Sequence, residues 1–418
     1  MSSPNDIDDS IREEGPPTPA ALPSEASGAR SLRRWWIAGG LLTLAASVWF
    51  FHRIFFTPKF IDVHAHLESI MQFAKGHAGL PGNFLYYGLV YALSGFASDR
   101  IPLSLAGTAI LASATTARYA IDYRILSRRP DEERAAASPL LTLGLTVALT
   151  IAFSLPTVVS FTGPMAERYW YRGQIPPNIW HNSTTILVIP FAIALFWVSF
   201  RSLSQPTRRN DVWIAALSIL NIAAKPSFFL VFAPTFSLIL LAHHGLRRAF
   251  WARMWPILVA GLTLAGQYYY IFTMKIGTKR VGDSHVTIAP FDVWSIYSPN
   301  IPLSILASVL YPLAYVVLYR RVLRRQPMLL YALALYVVAF AMMALLAEAG
   351  PRFKHANFFW QSFICSHILF LATTYYFLPC LRRGAMEARA RWVLGALGLH
   401  VVSGVIYLGR IIADQRVL

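Results

Sequence analysis

A chain of 418 residues that is 56% hydrophobic and 14% charged, with a mean hydropathy of +0.48, has more apolar surface than a soluble domain of that length can bury. That excludes a soluble α/β enzyme and marks an all-α polytopic membrane protein. The net charge of +17 does not by itself imply a nucleic-acid partner, because basic residues of membrane proteins gather in the loops of one face.

Residues 1–30 are rich in Asp, Glu, Ser, Pro and Ala and predict a disordered cytoplasmic tail ahead of a single transmembrane domain, 31–418. Arg30, Arg33 and Arg34 precede an apolar run at 35–56 that is too long for a signal-peptide core and has no small-residue cleavage site after it. It reads as a retained signal anchor. Further runs at 101–118, 139–161, 183–200, 211–224, 226–242, 253–273, 302–319, 328–347, 361–380 and 391–412 bring the predicted crossings to about eleven. Lys225 and Pro226 split one pair, which could instead be one broken or re-entrant element.

The basic residues fall in every second connection. They are Arg118, Arg124, Arg128, Arg129 and Arg134; Arg201, Arg208 and Arg209; Arg247, Arg248 and Arg253; Arg320, Arg321, Arg324 and Arg325; and Arg382, Arg383, Arg389 and Arg391. The positive-inside rule makes these loops cytoplasmic, with a cytoplasmic N-terminus, an extracytoplasmic C-terminus and the bacterial inner membrane as the expected location. A crossing by "NFLYYGLVYALSGFA", 83–97, would break that alternation. The segment is therefore expected along the outer interface, its three tyrosines at headgroup level.

The opposite loops hold the chemistry. Loop 57–100 carries Asp62, His64, His66, Glu68 and His77; loop 162–182 carries Glu167, Arg168, Arg172, Trp180, His181 and Asn182. Lys225 sits at the outer end of a helical hairpin. Loop 274–301 adds Lys279, Arg280, Asp283, His285 and Asp292, and loop 348–360 adds Glu348, Arg352, Lys354, His355, Asn357 and Trp360. Six of the 11 histidines lie in these loops, more than their share of the length, which places a site on this face.

"FIDVHAHLES" at 60–69 has the Asp-x-His-x-His pattern of metal-dependent amidohydrolases, but nothing else here could build their α/β barrel. In "HLESIMQFAKG", Leu67, Ile70, Met71 and Ala74 recur at helical spacing, so a short amphipathic helix at the outer surface is expected. Alternate histidines on a helix diverge. No metal is therefore expected, and a divalent ion near Asp62, His64 and His66 is the alternative.

A carboxylate just after the first span, an amphipathic segment behind it, many spans and basic outer loops together resemble the GT-C membrane glycosyltransferases. The resemblance is architectural and covers nearly the whole chain. It implies a polyprenyl-phosphate-linked sugar donor, and a first-loop carboxylate that acts on or positions the acceptor; Asp62 falls at that position, with Glu68 second. The paired histidines beside Asp62 depart from the usual pattern.

The chemistry points the same way. Sugar transfer from a lipid phosphate needs a base for the acceptor hydroxyl, a cation for the leaving phosphate and an apolar groove for the lipid. Arg352, Lys354, Lys225 and Arg280 are the candidate phosphate holders, against simple snorkelling by helix-end cations. Lys225 lies between two apolar stretches and wants an anionic partner, either the donor phosphate or a carboxylate such as Asp62 or Glu348. His64, His66, Trp180, His181, Asn182, His355 and Asn357 are the candidate substrate contacts; "WHNST" at 180–184 reads equally as an aromatic belt and a helix cap.

The expected partners are a lipid-phosphate-linked sugar, a glycan, lipid or protein acceptor, and membrane lipid. The competing reading is a transporter or flippase of a lipid-linked or anionic solute, which would place ionisable groups at mid-membrane; the notable midspan polar groups are Asn221, Gln267, His367 and His400. A lipid-linked polysaccharide polymerase or ligase is a close chemical relative. Walker A, Gly-x-Gly-x-x-Gly and His-Glu-x-x-His motifs are lacking, which argues against an ATP-driven pump and a zinc protease.

Overall fold

The computed structural model describes residues 25–57, 61–128, 138–156, 171–274, 285–381 and 386–413. Helix accounts for 78% of it, and the sheet among the described residues is one antiparallel pair of three-residue strands, β1 (Val286–Ile288) and β2 (Leu346–Glu348). This is an all-α integral membrane protein.

The main helices in chain order are α1 (Glu25–Phe55), α2 (Asp62–Ala74), α3 (Leu85–Leu93), α4 (Arg100–Ser127), α5 (Pro139–Ile151), α6 (Ser183–Ser204), α7 (Arg208–Ala224), α8 (Ser227–His244), α9 (Arg248–Tyr268), α10 (Ile301–Leu318), α11 (Pro327–Leu345), α12 (Trp360–Phe377) and α13 (Ala388–Ile412). Each apolar run of the sequence overlaps one of them, although the run at 139–161 is helical only to Ile151 and its residues 157–161 lie outside the described residues. Eight helices are long and apolar enough to cross a membrane, while α4 is diluted by polar residues and α5 and α7 are short. Backbone groups in lipid must pair within the protein, so these runs coil, and their ends are closed by Ser138, Asn182, Thr207 and Asn300 side chains that accept from the first turns of α5, α6, α7 and α10.

Helix α1 lies along α4, joined where Trp36 Nε1 donates to the Ala120 carbonyl and Tyr123 Oη to that of Leu32. Residues 25–30 continue α1, so this part of the expected tail is helical; residues 1–24 lie outside the described residues. Helices α2 and α3 form a separate layer on one end of the bundle. Gln267 of α9 fastens this layer by donating to the carbonyls of Gly82 and Ile222 at 2.8 and 3.1 Å. Nine residues of helix reach only about 13 Å, too short to span, so α3 does not cross by itself. Of its tyrosines, Tyr86 and Tyr87 turn inward and are buried, while Tyr91 is half-buried.

Two expectations are overturned by packing. Arg118 is not in a loop; it lies inside α4, 5% exposed, beside buried Asp122 and against His367 of α12. Residues 171–182 are not a surface loop either. Eleven of these twelve residues are buried although they form no helix, so the chain re-enters the bundle as irregular backbone. Such backbone is stable at depth only where other groups satisfy it. Here Ser308 Oγ accepts from Ile175 N, Tyr407 Oη accepts from Trp180 N, and Trp294 Nε1 donates to the Gly173 carbonyl. The end of α5 is served in the same way: Arg118 and Asn178 both donate to the Leu149 carbonyl. At Gly404 of α13 a Cβ would stand 1.9 Å from the Ile151 carbonyl oxygen, so only glycine allows α13 this close to the end of α5.

Candidate functional site

Three segments bring charge to one place: the first turn of α2, the buried stretch 171–182, and the break between α7 and α8. Helix α2 starts at Asp62 because Ile61 is extended and its N–H donates to His64 Nδ1 at 3.2 Å. The other His64 ring nitrogen, Nε2, faces the Phe55 carbonyl oxygen at 3.3 Å. His64 thus locks the start of the helix and points away from the cluster. His66, four residues after Asp62, shares its face. Its Nδ1 meets Tyr87 Oη at 2.7 Å, and its Nε2 lies 3.5 Å from Asn182 Nδ2.

Asn182 is the hub. Its Oδ1 accepts from Thr185 N at 3.1 Å, which caps α6, and also from Thr185 Oγ1, Thr184 Oγ1 and, at 3.2 Å, Lys225 Nζ. A backbone N–H can only donate, so this contact fixes which end of the amide is oxygen. The amide nitrogen is thereby turned to Asp62, donating to Oδ2 at 3.0 Å. The cap and the site contact are one side chain doing both.

Lys225 closes α7 in an extended conformation, and Pro226 opens α8; the helical hairpin is broken there. Its ammonium also donates to Thr184 Oγ1 and stands 3.8 Å from the centre of the Trp360 ring. Arg172 is held by two tyrosines, Nε donating to Tyr171 Oη at 2.8 Å and Nη1 to Tyr297 Oη at 3.3 Å. Tyr297 Oη in turn donates to the Lys354 carbonyl, linking this arginine to the 348–360 loop. His181 meets Tyr407 Oη through Nδ1 at 2.8 Å, while its buried Nε2 has no hydrogen-bond partner among the described residues.

Burial by itself would raise the Asp62 carboxyl, but His181, the Asn182 hydrogen bond, His66 and Arg172 outweigh it and hold it below the usual carboxylate range. Burial pushes His66 and His181 down to about 4, against the pull of Asp62. It also pushes Lys225 down to about 7, again opposed by Asp62. At neutral pH the site therefore presents a carboxylate, two neutral imidazoles, a lysine near its midpoint and a charged arginine.

The other candidates stand elsewhere. Glu68 is on the exposed face of α2, accepting from Gln72 Nε2. Arg352 pairs with Glu348 at 3.3 Å, and Asn357 donates to the same carboxylate, so both belong to a local network of that loop. Lys354 and His355 are exposed. The Trp180 ring is buried, stacked at 5.9 Å on Phe51 and edge-on to Phe50, and so packs the bundle. Arg280, with Glu167, Arg168, Lys279 and Asp283, lies outside the described residues. No group of three or more His, Cys, Asp or Glu residues among those described is placed to share a metal ion, and Cys365 and Cys380 are not joined in a disulfide.

Sequence reasoning did not select Arg172, Thr184, Tyr87, Trp360 or Tyr407 as site residues. Arg172 had a visible signal, an arginine preceded by three aromatics in "YWYRG". The others are joined to the site only by folding. No protein-family model matches this chain, and no curated protein matches it in sequence.

Proposed function

We propose that the protein is an integral-membrane glycosyltransferase of GT-C-like, eleven-crossing architecture. It would move a sugar from a lipid-phosphate-linked donor to an acceptor on the extracytoplasmic face of the bacterial inner membrane, in glycan or envelope polysaccharide assembly. One observation carries the reading: an ionised carboxylate, Asp62, and a buried lysine, Lys225, are held on opposite ends of one amide, Asn182. The carboxylate takes the proton of the acceptor hydroxyl as the acceptor oxygen bonds to the sugar C1. The C1–O bond to phosphate breaks, and Lys225 and Arg172 meet the charge that develops on the leaving phosphate. His181 Nε2, buried and without a partner among the described residues, supplies a hydrogen bond to a sugar hydroxyl.

A transporter of an anionic lipid-linked solute is favoured by two features: the irregular buried segment 171–182 beside the broken α7–α8 hairpin, since such elements line transport sites, and the ionisable cluster of Arg118, Asp122 and His367 buried inside the bundle. The test is sugar transfer by the purified protein in lipid, from a panel of radiolabelled lipid-phosphate sugars, for wild type and Asp62→Asn. Transfer by wild type reduced at least ~100-fold in the variant is expected, the scale of a lost general base. Vesicle uptake without any transfer by folded protein would replace the enzyme with the transporter.

A further inference from the structure

Helix α10 starts beside Tyr297, near Arg172, and its 18 residues carry the chain about 27 Å away, to the opposite end of the bundle. There a cavity of about 480 Å³ is lined by Val317, Leu318, Tyr319, Arg320, Arg321, Val322 and Arg389. Its walls are of two kinds. Arg320 and Arg321 stand exposed and, among the described residues, have no hydrogen-bond or ion-pair partner. Val317 and Val322, beside them, are 57% and 40% exposed. Arg389, from the first turn of α13, is already engaged, paired with Glu387 at 2.9 Å and laid over the Tyr319 ring at 5.4 Å.

Two consecutive arginines after α10 that line one cavity, with no partner among the described residues, offer a phosphate paired N–H donors from each. Val317, Leu318 and Val322, apolar and partly exposed in the same cavity, suit acyl chains rather than water. We propose that this cavity binds one anionic phospholipid, its headgroup phosphate held by Arg320 and Arg321 and its chains laid along Val317, Leu318 and Val322. A soluble phosphate would use the same arginines but gain nothing from the valines. The site is independent of the Asp62 cluster.

The test is native mass spectrometry of the full chain in detergent, titrated separately with phosphatidylglycerol, phosphatidylcholine and inorganic phosphate. One phosphatidylglycerol is expected to bind ahead of all others. Arg320→Gln/Arg321→Gln should weaken that first binding about 25-fold, each arginine at a lipid surface contributing about fivefold. Arg208→Gln/Arg209→Gln, an exposed pair at the same end of the bundle, should leave it unchanged. Equal binding of phosphatidylcholine, equal loss in the Arg208/Arg209 variant, or equally tight binding of inorganic phosphate would each overturn the assignment.

Discussion

Lys225 is the side chain whose charge is most finely balanced. Its ammonium is desolvated, and only Asn182 and Thr184 oxygens, the Trp360 ring and the nearby Asp62 charge support it. Because its pKa is depressed to about 7, the positive form is present below that pH and is lost as pH rises through it. If Lys225 holds the donor phosphate, kcat/KM for the donor falls above pH ~7, since that ratio reports the free enzyme. Lys225→Arg, which stays charged, removes this alkaline limb. An unchanged limb in the arginine variant would detach Lys225 from donor binding. The histidines take no part in that limb, being neutral well below this range. Asp62 and Lys225 were both legible as candidates because charge after a span or between apolar stretches is costly and conspicuous. Asn182 was legible only as an ambiguity between cap and contact, which the fold resolves by making it both.

At the scale of elements, the distinctive piece is the stretch 171–182. A buried segment with no helix must borrow partners for its backbone and lend its side chains to neighbouring ends, and Asn178 does the latter by donating to the carbonyls of Leu149 and Ala152. Asn178→Ala removes both donors and is expected to cost about 1–3 kcal/mol. Asn178→Leu has nearly the same size with neither donor nor charge, so it should lower the thermal midpoint in detergent by as much. A leucine variant as stable as wild type would show that volume, not donation, is what the position supplies. Hydropathy could not show that this stretch is inside: its Gln, Asn, His, Gly and two prolines have the composition of a surface loop. By contrast the apolar face of α2 was readable: of Leu67, Ile70, Met71 and Ala74 at helical spacing, the first two are buried and the other two half-buried.

Across the whole molecule, three of the four midspan polar groups tie separate elements together, while Asn221 donates to the Leu217 carbonyl of its own helix. His400 meets the Phe153 carbonyl, Gln267 fastens the α2–α3 layer, and Arg118, Asp122 and His367 form a buried cluster with His367 Nε2 3.1 Å from Asp122 Oδ2. Charges buried together are expensive to separate. Asp122→Asn, which leaves Arg118 without its counter-charge, is expected to destabilise by about 3–5 kcal/mol, whereas Arg118→Met/Asp122→Leu removes both charges and recovers most of that loss. Thermal unfolding of the two variants checks this, and a double variant less stable than the single would refute it. Asn178 still serves the Leu149 carbonyl when Arg118 is gone.

The sequence alone determined the class, the helical runs and the two polar faces of this protein, because the bilayer charges heavily for exposed backbone and misplaced ions and that cost acts residue by residue along the chain. Tertiary structure decided which polar residues meet. Asp62, Asn182 and Lys225 are up to 163 positions apart in the chain (225 − 62), and no local pattern links them. The same holds for Arg118, which reads as the first residue of a basic loop and becomes a buried partner only because Asp122, one turn on, and His367, from a distant helix, close around it.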